Sequence, residues 1–575
     1  FFGDTGSFKI YQDSTENVFD GLTSIKVEFI SKGTNWAGLY WRNPENNWGN
    51  IPNSGYNLTG AKEISFYAKG KKGGEKVEFF VGGINGPYPD SLSKVSTGII
   101  TLTSNWEKYK IPLISKDLSY VIGGFGVSIN GAYNPDGATF YIDKIQYNLS
   151  RNNELRFLRS YKTIKIEEPD KYLHNTCFIY DNSLSLMAFI IKGEKERAKI
   201  IADSFIYAMN NDRFYRDNRL RNAYMSGDLI DIKTDYARIP GWWDSELGMW
   251  KEDEYQVSTY PGNIAWVIIS LCHFYLKYGG EEYKESAIKL GDWIYLNTYD
   301  TRGNGGYTGG YKGWEPRPQK INWKSTEHNI DIYSAFKLLL KITGDTKWEE
   351  RANHAKNFVL SMFNNEKNYF YSGTKEDGIT PEQQPISLDV QAWAILSGIT
   401  NFSQEKLSYI EENFLTTNNG FEGFDFNTDK DGVWFEGTSF MSLLYSFLGF
   451  NDKAKKYLEE VKKAQISGPN SDGSGIISSS KESLSTGLEW QYYPRLHTGT
   501  TSWFIFAKNL FNPFTGERKR DINKDYEVDI TDVILCLRMA IGLNQPDMNL
   551  ADINKDGFVD ITDVILVLRK AISLD

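Results

Sequence analysis

The chain has 575 residues, of which 40% are hydrophobic, 15% aromatic and 24% charged, and its net charge is −10. This length predicts three or four domains. The acidic balance, without any basic stripe, disfavours nucleic acid as a partner, and the longest apolar runs, such as the one beginning at Ala265, are shorter than the roughly 20 residues that cross a bilayer. The chain opens at Phe1 without a methionine, so we expect that an upstream segment has been removed.

Up to about residue 150, short segments alternate between apolar and polar residues, with Gly, Asn and Pro between them. This period of two predicts a jelly-roll β-sandwich over residues 1–150. The stretches "FYAKG", "NWEKYKIPL" and "TFYIDKIQY", in this order, resemble carbohydrate-binding modules of the galactose-binding-like class. The resemblance implies a sugar-binding domain, although a purely structural sandwich stays open. The candidate sugar contacts are four crowded aromatic residues, Trp36, Tyr40, Trp41 and Trp48.

Between residues 151 and 515 the apolar residues recur with helical spacing, and no phosphate-binding GxxxxGK[ST] motif occurs. Six short polar motifs each stand just before a strongly apolar helix, with room between them for an outer helix and a return loop. This layout predicts an (α/α)6 barrel whose six inner helix N-termini meet at one end. It resembles the (α/α)6-barrel glycoside hydrolases, which implies cleavage of a polysaccharide. The motifs are "YDNS" (Tyr180–Ser183), "YPGN" (Tyr260–Asn263), "TEHN" (Thr326–Asn329), "SLDVQAW" (Ser387–Trp393), "WFEGT" (Trp434–Thr438) and "RLHTGTTSW" (Arg495–Trp503).

Glycoside hydrolysis commonly uses two carboxyl groups, one protonated and one ionised. The predicted cleft offers four candidates for catalysis, and we expect Glu327 to be the general acid because Thr326 can cap the helix in its place. As its partner we favour Asp181 narrowly over Asp389, with Glu436 third. Each candidate has a structural alternative, since Asp at a helix start is a common N-cap and Glu in a first turn interacts favourably with the helix dipole.

Aromatic and polar side chains near the motifs, and in two irregular loops, are candidate contacts for a sugar. The segment 211–263 is too long for a simple connection, and the Gly-rich stretch from Arg302 is a loop, so both suit a lid or a subsite wall. Asp244 and Glu246 in the first loop are further candidates for catalysis. The substrate-contact candidates are Trp242, Trp243, Tyr307, Trp314, Trp323, His328, Asn329, Trp393, Trp434 and His497.

The chain ends with two near-copies of one segment, which begin at Asp521 and Asp552. Each offers oxygen ligands at positions 1, 3, 5, 9 and 12 before an apolar helix, which is the spacing of a calcium loop, but position 12 is Asp rather than the Glu of an EF-hand. Residues 516–575 closely resemble a dockerin domain, which implies two bound Ca²⁺ ions and a cohesin domain of a scaffold protein as partner. The predicted calcium ligands are Asp521, Asn523, Asp525, Asp529 and Asp532 in the first copy, and Asp552, Asn554, Asp556, Asp560 and Asp563 in the second.

Two features of the repeats depart from the dockerin pattern. Tyr526 stands at position 6, where the sharp turn favours glycine, as Gly557 supplies in the second copy. Ile530 and Ile561 stand at position 10, where small polar contact residues are common. An apolar residue there predicts either a different cohesin or packing of the tail against the protein's own catalytic domain.

The sequence therefore predicts a multidomain protein, with a β-sandwich over 1–150, an (α/α)6 barrel over 151–515 and a small α-helical dockerin-like domain over 516–575. We expect a secreted glycoside hydrolase, at the cell surface or in a cellulosome, acting on a neutral glucan, mannan or xylan, because an acidic polymer would be repelled. One alternative is a polysaccharide lyase, for which Arg317, Arg495, Tyr492 and His497 would supply charge and a base. The other is a non-catalytic glycan-binding protein of a cellulosome-like assembly.

Overall fold

In the computed structural model, the described residues are 1–20, 23–114, 116–149, 155–164, 167–231, 234–244 and 247–572. The chain forms two compact units. The first unit consists of Phe1–Glu154 and Trp242–Lys251, and the second of Leu155–Gly241 and Glu252–Asp575. The division does not follow the chain simply, because a short internal segment of the later sequence belongs to the first unit.

The first unit contains two five-stranded antiparallel sheets. Their strands are β1 (Phe2–Gly3), β2 (Phe8–Ser14), β3 (Ser24–Phe29), β4 (Trp36–Arg42), β5 (Ala61–Gly70), β6 (Lys76–Val81), β7 (Val95–Thr101), β8 (Glu107–Pro112), β9 (Gly123–Asn130) and β10 (Ala138–Leu149). The orders are β1-β4-β9-β6-β7 and β2-β3-β10-β5-β8. Val27 and Phe66 from one sheet share a buried core with Phe79 and Val127 from the other, so the two sheets pack as a sandwich.

The second unit is built on a closed ring of six inner helices. They are α1 (Ile179–Ile191), α3 (Pro261–Tyr278), α5 (Thr326–Thr343), α7 (Leu388–Leu396), α9 (Phe435–Leu448) and α11 (Thr498–Asn509). Each inner helix contacts the next, and α11 contacts α1, which closes the ring. Among the described residues, the first five inner helices are each followed by a long outer helix: α2 (Lys195–Asn210), α4 (Glu281–Thr298), α6 (Lys347–Ser361), α8 (Gln404–Phe414) and α10 (Asn451–Ser467).

The burial of the two helix classes follows from their sequences. Inner helices are apolar on every side and are buried almost throughout, as α3 is from Ile264 to Phe274, whereas the outer helices bury one face and expose charged residues on the other. In the described part of the chain, every helix is too short or too polar to span a membrane.

Short antiparallel strand pairs and single helical turns connect these helices. The turns are Asp170–Leu173, Glu254–Val257 and Met548–Ala551. The strand pairs of the second unit are Arg156–Phe157 with Gly227–Asp228, Tyr161–Lys162 with Leu496–His497, Thr176–Phe178 with Ala223–Met225, Gly310–Lys312 with Gln319–Ile321, Phe363–Asn364 with Tyr369–Phe370, Leu415–Asn418 with Phe421–Phe424, and Leu484–Ser485 with Gln491–Tyr492.

The C-terminal repeats form two helices that pack on each other, α12 (Ile530–Ala540) and α13 (Ile561–Ala571). Each begins with a capping box, in which the N-cap Asp and the Asp three residues later bond to each other's backbone N–H groups. Their small core includes Val533 and Cys536 from α12 and Val564 and Val567 from α13.

Candidate active site

First-turn residues of the inner helices meet at one end of the ring. His497, the N-cap of α11, contacts Asp181 of α1 and Glu436 of α9. Glu327 of α5 is coupled electrostatically to Asp389 of α7 and to Glu436. The structure thus brings the four candidate carboxyl groups into one cluster, although they are separated by up to 255 residues along the chain.

The imidazole of His497 bridges two buried carboxyl groups. Its Nε2 lies 3.1 Å from Asp181 Oδ1, and its Nδ1 lies 3.4 Å from Glu436 Oε2. Burial alone would lower the pKa of His497, but Asp181 and Glu436 raise it above its usual value. Its Nδ1 also caps α11, because it accepts a hydrogen bond from Thr500 N. Asp181 Oδ2 and Glu436 Oε2 are buried and have no hydrogen-bond partner in the described part of the chain.

Gly499 permits this close approach. A Cβ atom there would lie 2.5 Å from Asp181 Oδ1, 2.9 Å from His497 Cε1 and 3.2 Å from Glu436 Oε2. The ring of Tyr161 stacks on His497 with centroids 4.2 Å apart. Sequence reasoning missed both residues, and the signal for the glycine was its place inside "RLHTGTTSW".

A second set of hydrogen bonds fixes the orientation of Glu436. Tyr180 Oη donates to Glu436 Oε1 at 2.6 Å and accepts from Trp503 Nε1 at 2.8 Å. Burial raises the pKa of Glu436 to about 7, while the neighbouring His497 and the Tyr180 hydrogen bond oppose the rise. This carboxyl group therefore titrates near neutral pH in a fixed orientation.

Glu327 has the environment of an acid that stays protonated. Its side chain is partly exposed, but burial together with the charges of Asp389 and Glu436 raises its pKa well above the usual value. Burial also raises the pKa of Asp389, whose Oδ1 accepts a hydrogen bond from Val390 N at 2.6 Å. Neighbouring carboxyl groups with little water around them cannot all ionise, so at least one keeps its proton.

The N-cap of α5 differs from the sequence prediction. Ser325 caps the helix, because its side chain accepts a hydrogen bond from His328 N at 3.1 Å. The Thr326 hydroxyl instead donates to the backbone oxygen of Tyr371 at 2.6 Å. The prediction named the wrong capping residue, but it remains true that Glu327 does not cap the helix.

The structural alternative for the two aspartates is also wrong. The N-caps of α1 and α7 are Phe178 and Ser387, and Asp181 and Asp389 lie inside the first turns. Neither aspartate is therefore needed to cap its helix, although both still favour the positive end of the helix dipole. Helix capping therefore does not explain why both aspartates are buried in one cluster.

Asp331 adds a fifth carboxyl group that the sequence candidates did not include. It lies one turn after Glu327 on α5, is fully buried, and neither oxygen has a hydrogen-bond partner among the described residues. Burial and the nearby charge of Glu327 raise its pKa well above the usual value. Gly262 of α3 makes room for it, since a Cβ there would lie 3.1 Å from Asp331 Oδ2 and 2.3 Å from the His328 ring. The i, i+4 spacing after Glu327 was the available signal.

Two predicted substrate contacts lie in the interior instead of the cleft. Asn329 is fully buried and uses its amide on backbone groups, donating to Tyr307 O at 3.0 Å and accepting from Tyr307 N at 2.8 Å. The Tyr307 hydroxyl donates to Arg351 O at 3.0 Å. Both predictions were wrong because these groups secure the Gly-rich loop to α5 and α6.

The other aromatic candidates differ in their access to a ligand. Trp314 is 43% exposed, and Trp323 is partly exposed beside the His328 ring, with centroids 6.1 Å apart. Trp393 and Trp434 are each only 2% exposed and are buried near the carboxyl cluster. Trp314 and Trp323 are therefore the better platforms for a sugar ring.

The predicted lid segment forms a hairpin that belongs to the first unit. Trp242–Asp244 pairs with Met249–Lys251, and the side chain of Asn53 both donates to and accepts from the backbone of Trp243. The prediction that this segment forms part of the barrel is therefore wrong, because these long-range hydrogen bonds join it to the sandwich. The candidate Glu246 lies outside the described residues.

The first unit carries an open aromatic groove. Trp36 and Trp48 are 50% and 45% exposed, and with Phe2 they line a groove of about 260 Å³. Tyr40 is buried, its hydroxyl bonded to a backbone oxygen, and Trp41 packs on a core phenylalanine. The four aromatic residues predicted to contact sugar thus divide into two that are accessible and two that serve the core.

The two C-terminal repeats adopt matching loops. Asp532 Oδ1 accepts from Ile522 N at 2.7 Å, and Asp563 Oδ1 accepts from Ile553 N at the same distance. In the second loop, Asp552 Oδ1 is buried without a hydrogen-bond partner among the described residues. Asp521 accepts hydrogen bonds from the backbone N–H groups of Asp525 and Tyr526. The remaining predicted ligands either pair within a loop or cap a helix: Asn523 with Asp525, Asn554 with Asp556, and the N-caps Asp529 and Asp560.

Comparisons with known proteins give only remote likenesses. No family model and no curated protein matches the chain. Among solved structures, it is similar to a family 76 glycoside hydrolase from a bovine Bacteroides thetaiotaomicron strain, with a TM-score of 0.40, 11% identity, and coverage of 87% of this chain and 97% of that one. It is also similar to a cellobiose 2-epimerase from Bacillus thermoamylovorans, with a TM-score of 0.43, 12% identity and coverage of 62% and 93%. An alpha-amylase from Clostridium perfringens gives a TM-score of 0.40, 12% identity and coverage of 58% and 86%. At these scores the likenesses carry no argument about activity.

Proposed function

We propose that the chain is a glycoside hydrolase that cleaves a polysaccharide by carboxylate acid/base catalysis. The observation that carries the proposal is one cluster in which the pKa of Glu327 is raised well above its usual value while Asp181 Oδ1 lies 3.1 Å from His497 Nε2. A protonated and an ionised carboxyl group facing one cleft are the pair that glycosidic cleavage requires.

In this mechanism Glu327 donates its proton to the glycosidic oxygen as the bond to the leaving sugar breaks. Asp181, beside His497, acts as the second carboxylate, and its Oδ2, which has no hydrogen-bond partner among the described residues, either takes a proton from the attacking water or attacks the sugar carbon directly. Glu436 orients His497, because Tyr180 fixes its other oxygen. The anomeric configuration of the first product distinguishes the two roles of Asp181.

The charges around the cleft support a hydrolase over a lyase. Arg495, a candidate for binding an acidic sugar, is buried and already paired with Asp170 at 2.9 Å and Glu482 at 2.9 Å. Burial and the charge of Glu436 raise the pKa of Tyr492 well above its usual value, which disfavours it as a base. A cleft lined by carboxyl groups repels an acidic polymer, so we assign a neutral glycan as substrate.

The calcium and docking assignments are likewise proposals. Calcium prefers hard oxygen ligands, and the orphaned, buried Asp552 Oδ1 together with the crowded carboxylates of each loop fits such an ion. We assign two Ca²⁺ ions to the C-terminal repeats and a cohesin domain as their partner. A secreted location, at the cell surface or in a cellulosome, follows from this assignment.

The test of the hydrolase proposal is reducing-end release from a panel of neutral and acidic polysaccharides. Glu327→Gln keeps the shape of the side chain but cannot donate a proton, so we expect at least a hundredfold loss of kcat on the active substrate. Glu350→Gln, an exposed acid in the first turn of outer helix α6, is the matched control. Full activity of Glu327→Gln, or unsaturated products from an acidic polymer, would contradict the proposal.

A second function, sugar binding, is supported in the first unit by the exposure of Trp36 and Trp48 around the groove. Indole faces of this kind stack on sugar rings. We expect Trp36→Ala and Trp48→Ala to weaken binding to an insoluble glycan tenfold or more, while Tyr133→Ala, which removes an aromatic ring that is also 50% exposed, leaves binding unchanged. Equal retention of all three variants on the glycan would refute this function.

A further inference from the structure

The chain that follows α11 closes the end of the ring opposite the carboxyl cluster. The Phe514 ring lies 5.0 Å from Trp266 and 5.4 Å from Trp393, two indoles of the inner helices. Asn512 Nδ2 donates to the backbone oxygen of Leu396 at 2.8 Å, at the C-terminal end of α7. The start of the C-terminal segment is therefore the floor of the barrel, and not a free linker.

This segment also stands where a sixth outer helix would follow. After each of the first five inner helices the chain forms a long outer helix, but after α11 the described residues contain no long helix before Ile530. Residues 510–520 instead run directly into the first calcium loop, which begins at Asp521. The barrel thus lacks one outer element, and the repeats occupy its place in the sequence.

Tyr526 connects the first loop to the barrel floor. Its side chain is only 4% exposed, and its hydroxyl lies 2.8 Å from His273 Nδ1 on α3. His273 Nε2 lies 2.8 Å from the backbone oxygen of Pro513, so one imidazole joins the loop, the floor segment and an inner helix. The Tyr526 ring also packs 6.1 Å from Phe511.

Tyr526, which anchors the first loop to the barrel, has a backbone conformation that is unfavourable for a residue with a side chain. Its φ is +71°, in the left-handed region, and the equivalent residue of the second copy is Gly557 with φ +90°. A side chain with a Cβ atom disfavours this region, which is why calcium loops use glycine at position 6. The burial of the ring and its hydrogen bond stabilise a conformation that the loop alone would not favour.

The same residue is tied to the calcium ligands. Tyr526 N donates to Asp521 Oδ2 at 2.8 Å, and Asp521 is the ligand at position 1. Lys277 of α3 donates to the backbone oxygen of Asp525 at 2.6 Å and pairs with Glu527 at 2.8 Å. An ion that orders Asp521 and Asp525 therefore orders the residues on both sides of the anchor.

On the basis of the calcium sites proposed above, we propose that the first calcium loop is a structural part of the barrel, in which Tyr526 transmits calcium binding at Asp521 and Asp525 to the stability of the inner helices. We expect the second loop to contribute less to this coupling, because Gly557 stands there in place of Tyr526 and the next residue, Phe558, is 71% exposed. Removal of calcium then loosens the floor of the catalytic barrel as well as the tail.

The test uses tryptophan fluorescence, since all 16 tryptophans lie at or before Trp503 and none lies in the repeats. Thermal unfolding of the full chain is followed in calcium chloride and in EGTA, with calcium binding measured by calorimetry. Because a ligand that binds only the folded state stabilises it, we expect calcium at about 1,000 times its dissociation constant to raise the barrel midpoint by about 5 °C. An unchanged midpoint, whether or not calcium binds, would overturn the proposal.

Two variants separate the anchor from calcium binding itself. Tyr526→Gly gives the first loop the glycine of the second, so it keeps or improves calcium affinity, and we expect it to lose most of the midpoint shift. Phe558→Ala, which removes an exposed aromatic ring from the second loop, is the matched control and keeps the shift. A full shift in Tyr526→Gly would overturn the proposal.

If Tyr526→Gly does not fold, Tyr526→Phe serves in its place. This change keeps the ring against Phe511 but removes the hydrogen bond to His273, so we expect a reduced shift. Asp525→Ala in the first loop should abolish the shift, whereas the equivalent Asp556→Ala in the second should retain it. Equal effects of the two aspartate changes would also contradict the proposal.

Discussion

At the scale of single residues, the carboxyl cluster depends on the lack of a side chain at Gly499. Gly499 lets Asp181, His497 and Glu436 approach one another, and a Cβ there would meet Asp181 Oδ1 at 2.5 Å. We expect Gly499→Ala to lower kcat/KM about a hundredfold, because a displacement of about 1 Å in a catalytic group costs that much. The kinetics are measured on the substrate that the polysaccharide panel identifies.

The control for this change is Gly475→Ala, where the nearest atom to the added Cβ would be a Thr501 side-chain oxygen at 3.4 Å. Alanine is a better helix former than glycine, so Gly499→Ala should still fold, which circular dichroism checks. Wild-type kinetics in Gly499→Ala would show that the contact between Asp181 and His497 is not needed for activity.

Asp389 is expected to set the pH range of the reaction through Glu327. Its charge is one of the causes that raise the pKa of Glu327, and the general acid acts only while it is protonated. Asp389→Asn removes that charge, so the pKa of Glu327 falls and its proton is lost at lower pH. We therefore expect the alkaline limb of the kcat/KM profile to move to lower pH.

The pH profile of Glu350→Gln, which removes a charge far from the cleft on outer helix α6, should coincide with that of the wild type. An alkaline limb that moves to higher pH in Asp389→Asn, or stays in place, would mean that a different group limits the activity above neutral pH. In that case Glu436, with a pKa of about 7, becomes the candidate.

At the scale of helices, the sequence predicted where the inner helices begin. It did not predict which residue caps each of them. Each of the six polar motifs does precede or open an inner helix, because an apolar run that follows polar residues is a local signal. The choice between Ser325 and Thr326 as cap depends on a bond from Thr326 to Tyr371. That contact is set by tertiary packing, which a local pattern does not contain.

The N-cap of α5 gives a prediction that separates stability from function. Ser325 accepts from His328 N in α5, and Ser403 accepts from Lys406 N in outer helix α8. Because both changes remove a capping hydrogen bond, we expect Ser325→Ala and Ser403→Ala each to lower the free energy of unfolding by about 1 kcal/mol. Urea denaturation measures this value.

Only Ser325→Ala should lower kcat/KM as well, since the first turn of α5 carries Glu327 and His328. Ser403→Ala is the control for a stability loss without loss of activity. If both variants lose activity equally, the effect comes from general destabilisation and the first turn of α5 has no special role.

At the scale of the whole molecule, contacts between distant parts of the chain were the part that sequence patterns did not reveal. The periods of two and 3.6 indicated strands before helices, and the structure has that order. The hairpin at 242–251 looked like a barrel loop, yet it belongs to the sandwich unit. The deciding contact is with Asn53, about 190 residues earlier, and neither segment has a local feature that identifies the other.

This hairpin gives a prediction about how the first unit is completed. Asn53 is bonded twice to the backbone of Trp243, so Asn53→Ala should free the hairpin while the sheets, which have their own core, stay folded. Opening of a segment exposes it to proteases, and Lys251 at the end of the hairpin is a site for trypsin. We expect cleavage after Lys251 to be about tenfold faster in the variant, which corresponds to about 1.4 kcal/mol of opening free energy.

Mass spectrometry of timed digests measures the rate, and Asn105→Ala, in an exposed turn of the same unit, is the control. Equal rates in the variant and the wild type would show that other contacts hold the hairpin to the first unit.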